Sequence, residues 1–300
     1  MAAIDLKGKG AIVTGGGSGI CLSFVRQLYA AGCDVLICDL SLHREAIAWL
    51  DTIQKNATGP WKRESGGPSV AFRRTDVSQW NELEIAFQHY AEIFGGVPDI
   101  LCPGAGVYEP SFNNFWNDRD DTHYSMLRIN LEHPLKMSRI AIRKWVQAAQ
   151  PGYIVLVSST GAQKPSMLTP LYGAAKQGIS NFARCMARLQ EMESIRVVAI
   201  APGPTMSPMI YDHAEALRFV DPQKDKLSEP DEIGRGMMAV CFDKGKFPPG
   251  TVLEVTHPDR WREVFLLNDP GPGAHAYTSR KEEGMADVHA ALEADRSGHK

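Results

Sequence analysis

Tyr172 and Lys176 stand four residues apart in the run Tyr-Gly-Ala-Ala-Lys, a spacing that makes two side chains neighbours on one helix face. A phenol with an ordinary pKa of about 10 is a poor base. A cation beside it favours the phenolate, and the pair then suits proton transfer to and from an alcohol or carbonyl oxygen near neutral pH. Taken alone, the pair equally describes a half-buried ring with a solvated lysine. Ser159 adds weight: it lies thirteen residues before Tyr172 at the end of an apolar run, where its hydroxyl can hold a substrate oxygen. Asn130, among Leu127, Ile129 and Leu131, either anchors water or backbone near Lys176 or is an ordinary satisfied helix residue.

A second constellation precedes these residues. Thr14-Gly15-Gly16-Gly17-Ser18-Gly19-Ile20 directly follows one apolar run and opens a helical one. Glycines there permit a tight turn and let backbone N–H groups approach a pyrophosphate, while the helix N-terminus adds positive potential. Asp39 ends the next apolar run, 24 residues after Gly15. A carboxylate at that point binds adenosine ribose hydroxyls and repels a 2′-phosphate. Neither Leu40 nor Ser41 supplies a cation for such a phosphate, and Arg44 fits a solvated helix surface. The expected cofactor is therefore NAD, and its oxidised nicotinamide would add positive charge beside Tyr172.

These groups need a scaffold that brings the carboxyl ends of several strands together. Short β-branched runs alternate with longer runs of helical period, the pattern of repeated βαβ units. Strands are expected at Ala11–Thr14, Asp34–Asp39, Val70–Thr75, Asp99–Pro103, Tyr153–Ser158, Arg196–Ala201 and Thr251–Val255, with helices at 19–31, 43–56, 79–94, 122–149, 172–190 and 229–242. The predicted fold is α/β: one Rossmann-type doubly wound domain over 1–269, with a seven-stranded parallel sheet between two helical layers and ligands at the carboxyl ends of its strands. Segment 58–68 reads as a surface insertion and 203–228 as a lid over the substrate. The tail 270–300, Gly/Pro-rich and then charged, reads as loosely ordered.

Composition narrows the partners. With 44% hydrophobic and 22% charged residues the chain is an ordinary globular one. A net charge of −3 without a dense Lys/Arg run argues against nucleic acid. No run approaches the ~20 apolar residues of a membrane span, and no signal-like apolar stretch opens the chain, so a cytoplasmic protein without membrane attachment is expected. The six cysteines have no zinc-site spacing; they are expected to be buried thiols, with no metal.

Together these motifs resemble the short-chain dehydrogenase/reductase family over roughly residues 8–256. Thr14, Gly15, Gly19 and Ile20 match its glycine-rich loop, Asp39 its acidic NAD selector and Asp76-Val77 its adenine-contacting pair. Asn130, Ser159, Tyr172 and Lys176 match its catalytic tetrad. Pro202-Gly203 matches the turn after its sixth strand, and Ser207 stands where a threonine usually touches the nicotinamide carboxamide. The resemblance implies a cofactor site of Gly15, Gly17, Ser18, Gly19, Ile20, Asp39, Asp76, Val77, Gly104, Tyr172, Lys176, Pro202, Gly203, Thr205 and Ser207. It implies that Tyr172 exchanges the proton, Ser159 orients the substrate oxygen, Lys176 lowers the Tyr172 pKa and binds the nicotinamide ribose, and Asn130 keeps a relay water. It also implies a homodimer or homotetramer paired through 122–149 and 172–190. The stretch Gly250–Val255 is similar to the branch containing 15-hydroxyprostaglandin dehydrogenase.

Two positions depart from the family pattern. Cys21 replaces the third glycine of the loop, which is expected to push the first helix away from its strand. Pro103-Gly104-Ala105-Gly106 replaces Asn-Asn-Ala-Gly, losing side chains that brace the site. The leading expectation is an NAD-linked oxidoreductase for a moderately large apolar secondary alcohol or ketone, lined by Pro204, Met206, Pro208, Met209, Ile210, Tyr211 and the segment 107–121. The alternative is a cofactor-bound scaffold or non-redox catalyst on the same fold, which the two departures favour.

Overall fold

The computed structural model describes residues 5–53, 61–62, 67–109, 115–117, 123–217, 220–221, 223–265 and 281–298. In chain order its main elements are β1 (Gly10–Thr14), α1 (Gly19–Ala30), β2 (Asp34–Asp39), α2 (Arg44–Ile53), β3 (Trp61–Lys62), β4 (Ser69–Arg74), α3 (Trp80–Phe94) and β5 (Ile100–Pro103). After these come α4 (Ser125–Leu127), α5 (His133–Gln147), β6 (Gly152–Val157), α6 (Pro170–Cys185), α7 (Leu189–Glu193) and β7 (Ile195–Pro202). The last are α8 (Pro208–Tyr211), α9 (Ala214–Leu217), α10 (Pro230–Phe242), β8 (Val252–Thr256), β9 (Arg260–Glu263) and α11 (Lys281–Ser297).

All seven expected strands are present and pair in parallel in the order β4-β2-β1-β5-β6-β7-β8. The fold is the expected Rossmann-like one. The alternating faces of the central strands explain why they are apolar throughout: Ala11, Val13, Val35 and Ile37 pack with residues of α1 and α10, whereas Ile12, Leu36 and Cys38 pack with α3, α5 and α6. A strand covered on both sides has no solvated face on which to place polar residues. Strand order reverses between β1 and β5, the switch point at which open α/β sheets of this kind bind their ligands, outside the carboxyl ends of the strands.

Four features differ from the sequence expectations. Part of the supposed insertion 58–68 is β3, an antiparallel edge strand on β4, and β9 adds a second antiparallel edge beyond β8; short edge strands carry too little alternation to be seen in sequence. The helix expected over 122–149 is broken by a π turn, Arg128–Glu132, between α4 and α5. Pro134 has no N–H for the carbonyl of Asn130 four residues earlier, so the α-helical ladder fails there and the turn widens. The helix expected over 172–190 begins at Pro170 and ends at Cys185, with α7 following as a separate turn.

The tail is the fourth difference. Residues 281–297 form a helix that lies along α5, where Arg139 makes a two-pronged ion pair with the buried Asp295 and Leu292 enters the core. Part of the α5 surface that the resemblance assigns to a second copy is thus covered by the chain itself. Residues 270–280 lie outside the described residues.

Candidate active site

The glycine loop leaves β1 through Gly15, whose φ of +69° lies in the left-handed region that favours glycine. Its N–H donates to Cys38 O at 2.9 Å, and a Cβ there would fall 2.7 Å from Ala105 Cα. Two residues on, the Gly17 N–H donates to Asp39 Oδ2 at 2.9 Å, while Leu40 N–H donates to Oδ1 at 2.7 Å. Asp39 thus pins the loop. Burial raises its pKa against the pull of these backbone donors. Ser18 makes no side-chain cap at the start of α1, so the first-turn N–H groups of Gly19 and Ile20 have no serine acceptor there.

The remaining expected cofactor residues surround this loop at varying distance. Asp76 is engaged locally, its Oδ1 accepting from Ser78 N–H at 3.0 Å and the Ser78 hydroxyl at 2.7 Å, and Val77 is buried. Pro202 ends β7, and Gly203 N–H continues the sheet to Val255 O at 2.8 Å. Thr205 is buried and its hydroxyl donates to Gly203 O at 2.9 Å, so it serves the turn first. Ser207 precedes α8 and approaches the glycine loop: a Cβ on Gly19 would fall 3.3 Å from Ser207 Cβ.

Ser159, Tyr172 and Lys176 come together across β6 and α6. The Lys176 ammonium is buried, donates to Val157 O at 2.9 Å and lies 5.5 Å from the centre of the Tyr172 ring. Ser158 ties this helix to the strand, donating to Lys176 O at 2.9 Å with Ser180 Oγ at 2.6 Å. Burial pushes the Tyr172 phenol up to about 12, opposed by its hydrogen bond with Ser159. Burial also takes Lys176 down to about 8. The expectation that the lysine lowers the tyrosine pKa is therefore outweighed, in the protein by itself, by the cost of removing both charges from water.

Asn130 joins the cluster from the π turn. Its amide bridges the loop after β5, accepting from Val107 N–H at 2.9 Å and donating to Val107 O at 2.8 Å. Of the two uses open to it in sequence, the side chain takes the backbone anchor. Three further groups stand at this site, of which Tyr108 and Glu109 fall in the expected lining segment 107–121 without being singled out by the sequence, and the third has no sequence signal. Tyr108 packs edge-on against the Tyr172 ring at 5.0 Å, and Glu109 accepts the Tyr172 N–H. The third is His133, fully buried and held down to about 4 by burial, hence neutral at pH 7. Its Nδ1 faces Ile129 O at 3.0 Å and must carry the proton, which leaves Nε2 to accept from the Thr14 hydroxyl at 3.1 Å. Thr14 Oγ1 in turn accepts from Ala105 N–H at 3.1 Å.

The two departures meet in space: a Cβ on Gly104 would fall 2.4 Å from Cys21 Sγ, so the thiol occupies the space a side chain at 104 would need. The loop after β5 is held by Thr14, itself paired with His133, and by Asn130.

The family's sequence model, described as short chain dehydrogenase, matches residues 9–217. The chain belongs to the short-chain dehydrogenases. It is 24% identical over 255 residues to a tropinone reductase homolog of Arabidopsis thaliana, covering 83% of this chain and 92% of that one. To the cis-4-hydroxycyclohexanecarboxylate dehydrogenase of Sinomonas cyclohexanicum it is 26% identical over 249 residues, 82% and 94% of the two chains. A short-chain dehydrogenase/reductase of Mycobacterium marinum shares the fold with a TM-score of 0.70 at 18% identity, over 85% of this chain and 96% of that one. So does a 3-ketoacyl-(acyl-carrier-protein) reductase of Brucella melitensis complexed with NADH, with a TM-score of 0.66 at 22% identity over 84% and 98%.

As a short-chain dehydrogenase the chain is an oxidoreductase that binds a nicotinamide cofactor. The residues present fit that group: a glycine turn, helix-start N–H groups without a serine cap, and a carboxylate at the end of β2. Restoring the family side chain by Gly104→Asn is expected to cost about 1–3 kcal/mol in urea unfolding through collision with Cys21. Adding Cys21→Gly should recover most of it; strictly additive losses would refute the exchange of space.

His133 gives the short-chain dehydrogenase an acid-sensitive brace. Its pKa is 6.5 by reference and about 4 when folded, so the unfolded chain binds the extra proton. Its contribution is complete above about pH 6.5 and declines as pH falls toward 4, by up to about 3 kcal/mol. His133→Asn should flatten this part of the pH dependence of unfolding; an unaltered slope would show that other groups carry it.

Proposed function

We propose that the chain is an NAD-dependent alcohol dehydrogenase acting on a moderately large apolar secondary alcohol or ketone, with Tyr172 as general acid/base. The observation that carries this reading is the meeting of Ser159, Tyr172 and Lys176 beside a glycine loop pinned by Asp39. In this mechanism the Ser159 hydroxyl orients the substrate oxygen, and the Tyr172 phenol takes or returns its proton. Lys176 supplies positive charge at the ring, while Asn130 keeps the loop after β5 against the site. Bound NAD supplies the hydride acceptor and, when oxidised, a positive ring that favours the Tyr172 phenolate. Gly15, Gly17, Ser18, Gly19 and Ile20 would hold its pyrophosphate, Asp39 its ribose, Asp76, Val77 and Gly104 its adenine side. Pro202, Gly203, Thr205 and Ser207 would flank the nicotinamide.

Apolar side chains support the substrate class. Phe115, Trp116, Met167 and Leu168 are all exposed, and the Trp116 indole donates to Met167 O at 2.6 Å. The proposed lid over 203–228 is pinched at its base, where Met206 N–H donates to Ser228 O at 2.9 Å and Ser228 N–H to Pro204 O at 2.8 Å. Its helix α8 reaches α2, where the Tyr211 hydroxyl donates to Glu45 at 2.7 Å. The scaffold alternative leans on Cys21 and the altered loop after β5, and the fit of the thiol against Gly104 weighs against it. Titration with NAD and NADP followed by a panel of secondary alcohols tests the reading. Growth of reduced-nicotinamide absorbance with NAD is expected, and NADH binding without turnover across the panel would favour the scaffold.

A further inference from the structure

Glu109 is fully buried, at 0% exposure, in the segment that follows β5. Both of its carboxylate oxygens accept from backbone: Oε2 from Tyr172 N–H at 2.9 Å and Oε1 from Phe115 N–H at 3.1 Å. Tyr172 is the third residue of α6, a helix whose N-cap Thr169 makes no side-chain hydrogen bond and whose first residue, Pro170, has no N–H. The start of α6 therefore takes an acceptor from a distant segment, and the anion sits at the positive end of the helix dipole. Such an arrangement allows a carboxylate to be buried with no ion-pair partner among the described residues.

The second oxygen extends the link. Phe115 and Trp116 stack edge to face at 5.2 Å, and the Trp116 indole donates to Met167 O, on the segment leading into α6. The aromatic pair is thus tied to the entry of α6 at two points, one of them Glu109. Tyr108, the neighbour of Glu109, packs on the Tyr172 ring itself.

We propose that Glu109 is a positioning residue that sets the acid/base helix and the aromatic wall of the substrate site in register, by capping Tyr172 with one oxygen and holding Phe115 with the other. This rests on the reading of Tyr172 as the acid/base. Substrate lying against Phe115 and Trp116 is then held at a set distance from the phenol, although Glu109 touches neither substrate nor cofactor. An amide cannot replace the carboxylate, because it offers one acceptor and turns an NH2 donor toward the other N–H.

Glu109→Gln and Glu109→Asp test this against the parent and Tyr172→Phe, with three readouts. Hydrogen exchange by mass spectrometry needs no substrate: in Glu109→Gln, exchange over 115–117 and 170–174 should rise about tenfold while 10–22 stays unchanged. NADH affinity, read by fluorescence, should stay within about twofold, while kcat on 1-phenylethanol or cyclohexanol falls at least about tenfold, since small misplacements of a reacting group cost that much. Glu109→Asp, which keeps two acceptors on a shorter arm, should recover part of kcat. Unchanged local exchange overturns the proposal, as does exchange that rises equally in 10–22, or an unaltered kcat in Glu109→Gln alongside an inactive Tyr172→Phe. If Tyr172→Phe stays active, the acid/base reading falls instead, and the exchange result still decides the cap.

Discussion

Tyr172→Phe is expected to lower turnover of a secondary alcohol by about 10²–10⁴-fold, the usual contribution of a positioned acid/base. NADH binding should change by less than about twofold. The substitution leaves the ring that packs against Tyr108 and beside Lys176, so α6 keeps its seat and only the proton-carrying oxygen is lost. The direction with pH follows from burial. With the phenol pushed up to about 12 in the protein by itself, the phenolate fraction grows about tenfold per pH unit through the neutral range. Oxidation of the alcohol, which needs the phenolate, should rise with pH in the parent, with the positive nicotinamide moving the rise to lower pH. Reduction of the ketone needs the phenol and is already supplied with it. The pH dependence of kcat/KM for oxidation, measured for parent and variant, decides the matter. Near-normal turnover by Tyr172→Phe would remove Tyr172 from the mechanism.

The second large effect concerns Asp39. The parent is expected to bind NADH about 100-fold or more tightly than NADPH, because a 2′-phosphate set against the carboxylate meets a like charge, and such juxtapositions cost several kcal/mol. Leu40 and Ser41 bring no cation to offset it. The same carboxylate holds the glycine loop through the Gly17 and Leu40 N–H groups, so a truncation would mix charge with loop geometry. Asp39→Asn removes the charge but turns an NH2 donor toward one of these N–H groups, so affinity for both cofactors should fall and it is the ratio of the two that reads the charge. The substitution should narrow the preference by about tenfold or more, and Asp39→Ser with Leu40→Arg should reverse it by adding a phosphate-binding fork. Fluorescence titrations with both reduced cofactors read this directly. A parent that binds NADPH as tightly as NADH would defeat the NAD assignment.

Much of the site was legible because its groups lie where local patterns end. Each glycine or hydroxyl near a strand's carboxyl end, such as Gly15, Ser159 and Gly203, is placed by the strand before it, and strands buried on both faces announce themselves as unbroken apolar runs. Tyr172 and Lys176 were legible as a pair through helix geometry alone. The position of Asp39 in sequence points to a ribose and carries no sign of its hold on Gly17 and Leu40, because backbone donors leave no mark on side-chain pattern.

The sequence by itself determined the order of the seven parallel strands with the helices between them, the loop that follows β1 and the spacing of the tyrosine and lysine, since all of these rest on short-range periodicity and stereochemistry. Tertiary structure alone decided the rest. Glu109 meets Tyr172 across 63 residues and Thr14 meets His133 across 119. Cys21 fills the space left by Gly104, and Asp295 brings the tail helix onto Arg139. In each case one partner looks ordinary in sequence, an acidic loop residue, a helix histidine, a charged tail. What changes its meaning is burial, because a polar group taken from water must find its partner wherever the fold supplies one.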